Sequence, residues 1–314
     1  MKLLKKFVNA LSSSRASLSD SLEKLNSPVK RRKTLDNSDD IPHQMIELPI
    51  GQHIFHLNEQ QYMAVRQRAA EQLELILKKC LRMSKKDASK LVASLQQQTN
   101  EQLLNQQPQD TLNIFNCPLI QLPAEIVNPD TQLPRIIIRL MHSFVRRGGF
   151  EQEGPFRVEG DKQQLAELVA GISSGFEADG INVDSYPIPV LGAAIKRYIR
   201  SIPGFLIPQN TTALLVKLFN LKDNALRTLA IQLVLLTLPY QHAKALSSIN
   251  LLLKTCSLQE SVHKVSAAAL TVCFGPTLFD TGIDLNLVSG VNNLLNELIE
   301  NYSTYSIVPS ALKS

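Results

Sequence analysis

The sequence predicts an all-α fold, on three observations. Apolar residues recur at three- and four-residue steps along most of the chain. Period-two alternation is scarce. After residue 110, Pro and Gly fall as punctuation between short apolar segments rather than inside them. The 314 residues are 44% hydrophobic, enough to bury one sizeable core with material left for tails or a second small unit. No run of about 18 uncharged apolar residues occurs, so no membrane-spanning helix is expected.

Residues 1–40 are rich in Ser, Lys and Asp and read as a flexible basic tail. The opening Met1-Lys2-Leu3-Leu4-Lys5-Lys6-Phe7-Val8 begins like a signal peptide. It then runs into Ser12-Ser13-Ser14-Arg15 with no long apolar core and no cleavage site, so a retained, cytoplasmic chain is expected. Leu4, Val8, Leu11, Leu18, Leu22 and Leu25 keep heptad spacing, interrupted by Arg15. Over 3–25 this fits a short coiled coil with a partner, an amphipathic helix on anionic membrane, or a tail that is only locally helical. Lys30-Arg31-Arg32-Lys33 fits a nuclear import signal or a lipid-facing patch, and Asp36, Asp39 and Asp40 partly offset it.

Residues 41–109 read as a helical extension and linker. Leu57-Asn58-Glu59-Gln60 opens a run without Gly or Pro until Pro108. Leu73, Ile76, Leu77, Cys80 and Leu81 form one apolar face, and Ser84 or Asp87 can cap a second helix through Leu91 and Leu95. The glutamine-rich stretch from Gln96 to Pro108 reads as linker. The principal domain is expected over 110–306, with helices at 133–147, 161–172, 188–201, 211–221, 223–238, 242–258, 262–273 and 285–302, and a C-terminal tail over 307–314.

The net charge is +5 and the pI near 9.0. Apart from 30–33 the basic residues look scattered along the sequence. With 5% aromatics and no Trp there is little to stack bases on, so no nucleic-acid partner is expected. Cys80, Cys117, Cys256 and Cys273 have neither metal-ligand spacing nor a compact disulfide pattern, and read as reduced thiols, with Cys273 expected to be buried. His53 and His56 are three apart but lack a third ligand nearby. There is no P-loop, no Gly-x-Ser-x-Gly elbow and no paired metal motif, so no cofactor of the chain's own is expected.

The chemistry concentrates in Glu153-Gly154-Pro155-Phe156-Arg157-Val158-Glu159-Gly160. One helix ends near Gly148-Gly149 and another starts at about Asp161, which places Arg157 in a loop bracketed by glycines. Phe156 can anchor that loop in the core while its neighbour points outward. A loop arginine is ordinarily a surface charge, and the segment alone carries little weight.

Its context carries more. The segment resembles the RhoGAP signature Gly-x-Phe/Tyr-Arg-x-x-Gly, and further blocks of that family stand in order around it. Phe115-Asn116-Cys117-Pro118-Leu119 and Leu133-Pro134 precede it. Ile195-Lys196-Arg197-Tyr198-Ile199-Arg200-Ser201-Ile202-Pro203 is similar to the family's Leu-Lys-x-Tyr-Leu-Arg-x-Leu-Pro helix, and Leu206-Ile207-Pro208 continues it. Leu235-Leu236-Thr237-Leu238-Pro239-Tyr240-Gln241-His242, His263-Lys264-Val265-Ser266 and Phe274-Gly275-Pro276-Thr277-Leu278 follow. The resemblance spans about 114–306. It implies a helical bundle of about eight or nine helices, here with an N-terminal helical extension.

It also implies a mechanism. The domain would bind a Rho-family small GTPase, Rho or Rac type, in its GTP-bound form and supply an arginine finger in trans. GTP and Mg²⁺ would belong to the partner. Arg157 takes the finger's position. Lys196 and Arg200, four apart on one helix and so on one face, take the positions that floor the GTPase groove and support the finger loop. Ala269 stands where the family carries an asparagine, five residues before Phe274, whose amide contacts the GTPase. His263 replaces the asparagine of Asn-Lys-Met-Thr, Gly204-Phe205 replaces Glu-Pro, and Pro187-Ile188-Pro189 interrupts the stretch before the Lys196 helix. These departures leave two expectations standing: an active GTPase activator, or a catalytically weak scaffold that binds GTP-loaded Rho proteins.

Overall fold

The computed structural model describes residues 48–104, 113–174 and 180–313, and about the described residues the following holds. The tail 1–40, with its heptad pattern and its 30–33 basic run, lies outside them. Twelve α-helices occur: α1 (Glu59–Leu81), α2 (Lys85–Leu104), α3 (Arg135–Arg146), α4 (Lys162–Ser174), α5 (Ile188–Ser201), α6 (Gln209–Phe219), α7 (Asn224–Leu236), α8 (Tyr240–Ser257), α9 (Glu260–His263), α10 (Ala267–Leu278), α11 (Leu285–Glu300) and α12 (Tyr302–Tyr305). Short 3₁₀ turns join them, and no strand is present among the described residues. No helix is long and apolar enough to cross a membrane.

Capping side chains set several of the starts. Asn58 and Gln61 form a reciprocal capping box at α1. Ser84 accepts the Asp87 N–H ahead of α2, and Asp161, Asp223, Ser266 and Asp284 do the same for α4, α7, α10 and α11. Of its eighteen residues α8 buries fifteen, which makes it the centre of the bundle, with α1, α10 and α11 packed around it. On the other side α5 packs against α3, α4 and α10.

The structure departs from the sequence reading in four places. The expected 96–108 linker is helical as far as Leu104, because glutamine favours a helix where neither Gly nor Pro interrupts it. The expected 262–273 helix is two elements. Lys264 adopts a left-handed backbone (φ 59°) after α9, Ser266 caps a new start, and α10 then runs on through Pro276 to Leu278. Cys273 is half-buried rather than buried, and all four cysteines are free. Residues 307–313, read as a tail, fold back: Val308 and Leu312 are buried, and Gly51 and Val308 exchange backbone hydrogen bonds with Val308 and Gln52.

The extension is fastened by polar contacts that reach across the chain. The Tyr62 hydroxyl donates to the carbonyls of Leu236 (3.3 Å) and Leu238 (3.0 Å), and Arg66 Nε donates to that of Thr237 (2.9 Å). These carbonyls lie at and just past the end of α7 and lack intrahelical partners, so the extension satisfies a helix terminus that would otherwise be buried unpaired. Lys244 donates to Phe55 O at 2.7 Å and Tyr240 to Leu57 O at 3.4 Å. Apolar residues of 54–95 and 114–312 share one continuous core.

Candidate functional site

The loop 147–161 between α3 and α4 presents Arg157, and its path is set by one aromatic anchor and several backbone ties. Phe156 is buried, with its ring stacked on Phe144 (centroids 4.6 Å apart) and edge-on to Phe274 (5.1 Å). Its backbone is left-handed (φ 60°), a conformation costing roughly 1–2 kcal/mol for a residue with a Cβ. Burying the ring offsets that cost. The reversal it forces turns the next side chain out, and Arg157 is exposed.

Gly154 (φ 75°) donates its N–H to the carbonyl of His263 at 3.1 Å, and its own carbonyl accepts from Arg157 N and Val158 N, both at 3.0 Å. A Cβ on Gly154 would lie 2.9 Å from Val158, and the left-handed turn itself favours glycine. At the far end Gly160 lies against the first turn of α5, where a Cβ would stand 2.7 Å from the Cα of Val190. The two ends are thus fastened to the segment before α10 and to α5. The Arg157 guanidinium lies back along its own loop, with Nε 3.6 Å and Nη2 3.7 Å from that same Gly154 Cβ position. Among the described residues no carboxylate pairs with it.

Lys196 and Arg200 share one face of α5, with Ile195, Tyr198 and Ile199 buried behind them. Lys196 Nζ donates to the carbonyl oxygen of Phe156 at 2.6 Å, and Arg200 Nη1 makes a long 3.4 Å contact to the carbonyl of Pro276 on α10. The structure therefore brings Arg157, Lys196 and Arg200 to one place, between α5 and α10. Next to Arg157 in the same loop, Val158 is about half exposed, at 48%. This leaves permanent positive charge next to apolar surface, a combination suited to another protein's anionic group rather than to a small substrate. Ala269 is half-buried in the first turn of α10, where its N–H is taken by Ser266 Oγ at 3.1 Å.

Sequence reasoning named His263 only as a departure, and the structure gives it a part. The ring is fully buried. Nδ1 accepts the Val265 N–H at 3.0 Å, so the neutral ring carries its proton on Nε2 and donates it to Cys256 O at 2.8 Å. This pins the very segment whose carbonyl holds Gly154. The Phe144–Phe156–Phe274 cluster was likewise unforeseen as a unit: its rings come from the last turn of α3, the arginine loop and α10, and the sequence marks only that Phe156 follows Pro155 and Phe274 precedes Gly275. No group of residues able to hold a metal occurs among the described residues, and His53 instead stacks on Phe55 and meets the Tyr302 hydroxyl at 2.9 Å.

Compared with known proteins, residues 134–282 match the RhoGAP domain. Beta-chimaerin from Mus musculus is 25% identical over 177 residues, which cover 56% of this chain and 52% of that protein. Rho GTPase-activating protein 35 from Canis lupus familiaris is 25% identical over 53% of this chain and 11% of its own length. Unconventional myosin-IXAa from Danio rerio is 24% identical over 49% of this chain, but that is 6% of the myosin. The chain thus spans about half or less of these relatives. Among solved structures, human Rho GTPase activating protein 15 superposes with a TM-score of 0.54 at 19% identity, covering 66% of this chain and 98% of that one. The BH domain from GRAF, the GTPase regulator associated with focal adhesion kinase, gives 0.51 at 23%, covering 56% and 95%. At such identities the superpositions speak for the fold, while the arginine loop, α5 and α10 all fall inside the matched segment. Residues 134–282 of this chain belong to the RhoGAP domain family.

Proposed function

We propose that the domain accelerates GTP hydrolysis by a Rho-family small GTPase in its GTP-bound form, with Arg157 entering the partner's active site. A GTPase acting alone leaves the charge that builds on the transferring phosphoryl group incompletely neutralised. A guanidinium supplied in trans stabilises it, an effect worth about 10³–10⁵ in rate. The arginine suits the task because it is permanently charged and donates several hydrogen bonds in a fixed fork. The observation that carries the reading is the loop itself: Phe156 is anchored inward, its carbonyl is held by Lys196, and Arg157 faces solvent without a carboxylate partner among the described residues. GTP and Mg²⁺ stay with the partner. The reading includes a cytoplasmic site of action and, for residues 1–40, contact with an anionic membrane or a coiled-coil partner.

One observation favours a second reading, a weak activator that mainly sequesters its partner. At Ala269 no amide is available to the GTPase, and one hydrogen bond to a charged or well-placed group is worth about 1.5–3 kcal/mol. Single-turnover GTP hydrolysis by Rho and Rac proteins, with and without this chain, separates the two. Acceleration that disappears in both Arg157→Ala and Arg157→Lys is the expected result. Binding to the GTP form without acceleration would establish the scaffold instead.

A further inference from the structure

A second charged surface lies apart from the arginine loop, at the turn between α1 and α2. Lys78 and Lys79 close α1, Arg82 forms the turn, and Lys85, Lys86 and Lys90 open α2. Within 78–90 these six cations face a single acid, Asp87, for a local excess of +5, equal to the net charge of the whole chain. The sequence hides the cluster because Cys80, Leu81, Met83 and Ser84 divide it and no contiguous run forms. Folding the two helices into a hairpin gathers it at one end.

The cations are not spent on internal pairing. Lys79, Arg82, Lys85, Lys86 and Lys90 are exposed and Lys78 is half-buried, and none of the six forms an ion pair or hydrogen bond among the described residues. Two acids on the same pair of helices are turned to hydroxyls: Asp87 Oδ2 accepts from Ser84 Oγ at 2.7 Å and Glu74 Oε2 from Ser89 Oγ at 2.8 Å. Lys85 and Lys86 also stand in the first turn of α2, the positive end of the helix dipole, where acids stabilise and cations destabilise. Folding alone gives no reason to place them there. Leu75 shares the outward face of α1 with Lys79, four residues on, and is 54% exposed.

We propose that this hairpin tip is a docking surface for a bilayer carrying anionic headgroups. The shape and chemistry fit that occupant. The tip lies about 24 Å along α1 from Arg66, whose contacts anchor the extension, and five of its six basic side chains are exposed, so it can meet a flat surface without unseating those contacts. A cluster of four to eight basic residues is the size that anionic leaflets attract. Nucleic acid fits less well: from Met63 through Asn113 there is no aromatic side chain on which a base could stack. The inference is independent of the GTPase reading, since none of the six residues belongs to the arginine site.

The test is co-sedimentation of the full chain with vesicles, using phosphatidylcholine alone and three parts phosphatidylcholine to one part phosphatidylserine. The expected result is preferential binding to the anionic vesicles that weakens as salt rises from about 0.1 M to about 0.5 M. With each basic residue contributing about fivefold, the triple variant Lys79→Glu, Lys85→Glu, Lys86→Glu should lose at least about a hundredfold in partitioning. Neutralising Lys30-Arg31-Arg32-Lys33 to glutamine should cost less than the triple change. Because the three lysines are exposed and two of them stand in the first turn of α2, the variant should melt at or slightly above the wild type and keep its effect on GTP hydrolysis in solution. Three outcomes would overturn the proposal: equal binding to both vesicle types, full retention by the triple variant, or tighter binding to a single-stranded oligonucleotide than to the anionic vesicles at the same salt.

Discussion

The ammonium of Lys196 and the carbonyl oxygen of Phe156 meet at 2.6 Å, forty residues apart in sequence. That carbonyl belongs to the peptide bond leading into Arg157. A left-handed residue leaves it outside any helix or sheet ladder, and the lysine supplies the donor that the backbone cannot. The charge on α5 thereby acts on the position of a different charge.

Replacing that lysine should therefore alter turnover more than folding. Lys196→Met keeps the unbranched stem at nearly the same length but loses the charge-assisted hydrogen bond, worth about 1.5–3 kcal/mol. Acceleration of GTP hydrolysis is expected to fall by roughly ten- to a hundredfold, with a drop of only a few degrees in melting temperature because the side chain is partly exposed. Single-turnover rates and thermal melts on the same samples check both halves.

Phe156→Ala should do the reverse. The ring's contacts with Phe144 and Phe274 are removed while the left-handed backbone stays, so the cost of that conformation is no longer offset. A Phe→Ala change at a buried site costs about 3–5 kcal/mol. Urea titration should show a lower midpoint, and the loop should become susceptible to proteolysis near Arg157.

How much of this was readable in the sequence depends on the range of each interaction. The all-α class and seven of the eight expected helices of the main domain follow from periodicity and from caps such as Asp161 and Asp223, which act within four residues. The interrupted one, at 262–273, failed because Lys264 takes a left-handed turn that leaves no trace in an apolar periodicity. Arg157, Lys196 and Arg200 were named from motif order, but the Lys196–Phe156 bond, the Gly154–His263 bond and the aromatic cluster join residues far apart in the chain. The contacts that seat the extension on the main domain were out of reach for the same reason: Tyr62 and Arg66 look like ordinary helix residues until the end of α7 lies beneath them.

Ala269→Asn tests the family departure directly. The site is half-buried in the first turn of α10, and asparagine is tolerated near a helix start. If an amide there meets the GTPase, one regained hydrogen bond should raise the acceleration by about tenfold or more. The same substitution in Arg157→Ala should tighten binding to the GTP form without restoring catalysis. A rate unchanged by Ala269→Asn would show that this chain does not depend on an amide at that position.

Lys244 offers a test of how firmly the extension is seated. It is almost fully buried, donates to Phe55 O, and lies 5.2 Å from the ring centroid of Tyr240. Burial pushes its ammonium down from the ordinary 10.5 to about 8, opposed by the nearby Asp130 carboxylate. Between those two values the unfolded chain holds a proton that the folded one has released, so this group's contribution to stability rises with pH through the window from about 8 to 10.5. Lys244→Met carries no such group. The stability of the wild type relative to Lys244→Met should accordingly be flat below pH 8 and climb from there to pH 10.5, measured by urea unfolding of both proteins at matched pH. A difference that stays constant across the window would mean that the ammonium is as well solvated in the folded protein as in the unfolded chain, and that residues 48–57 do not cover it in solution.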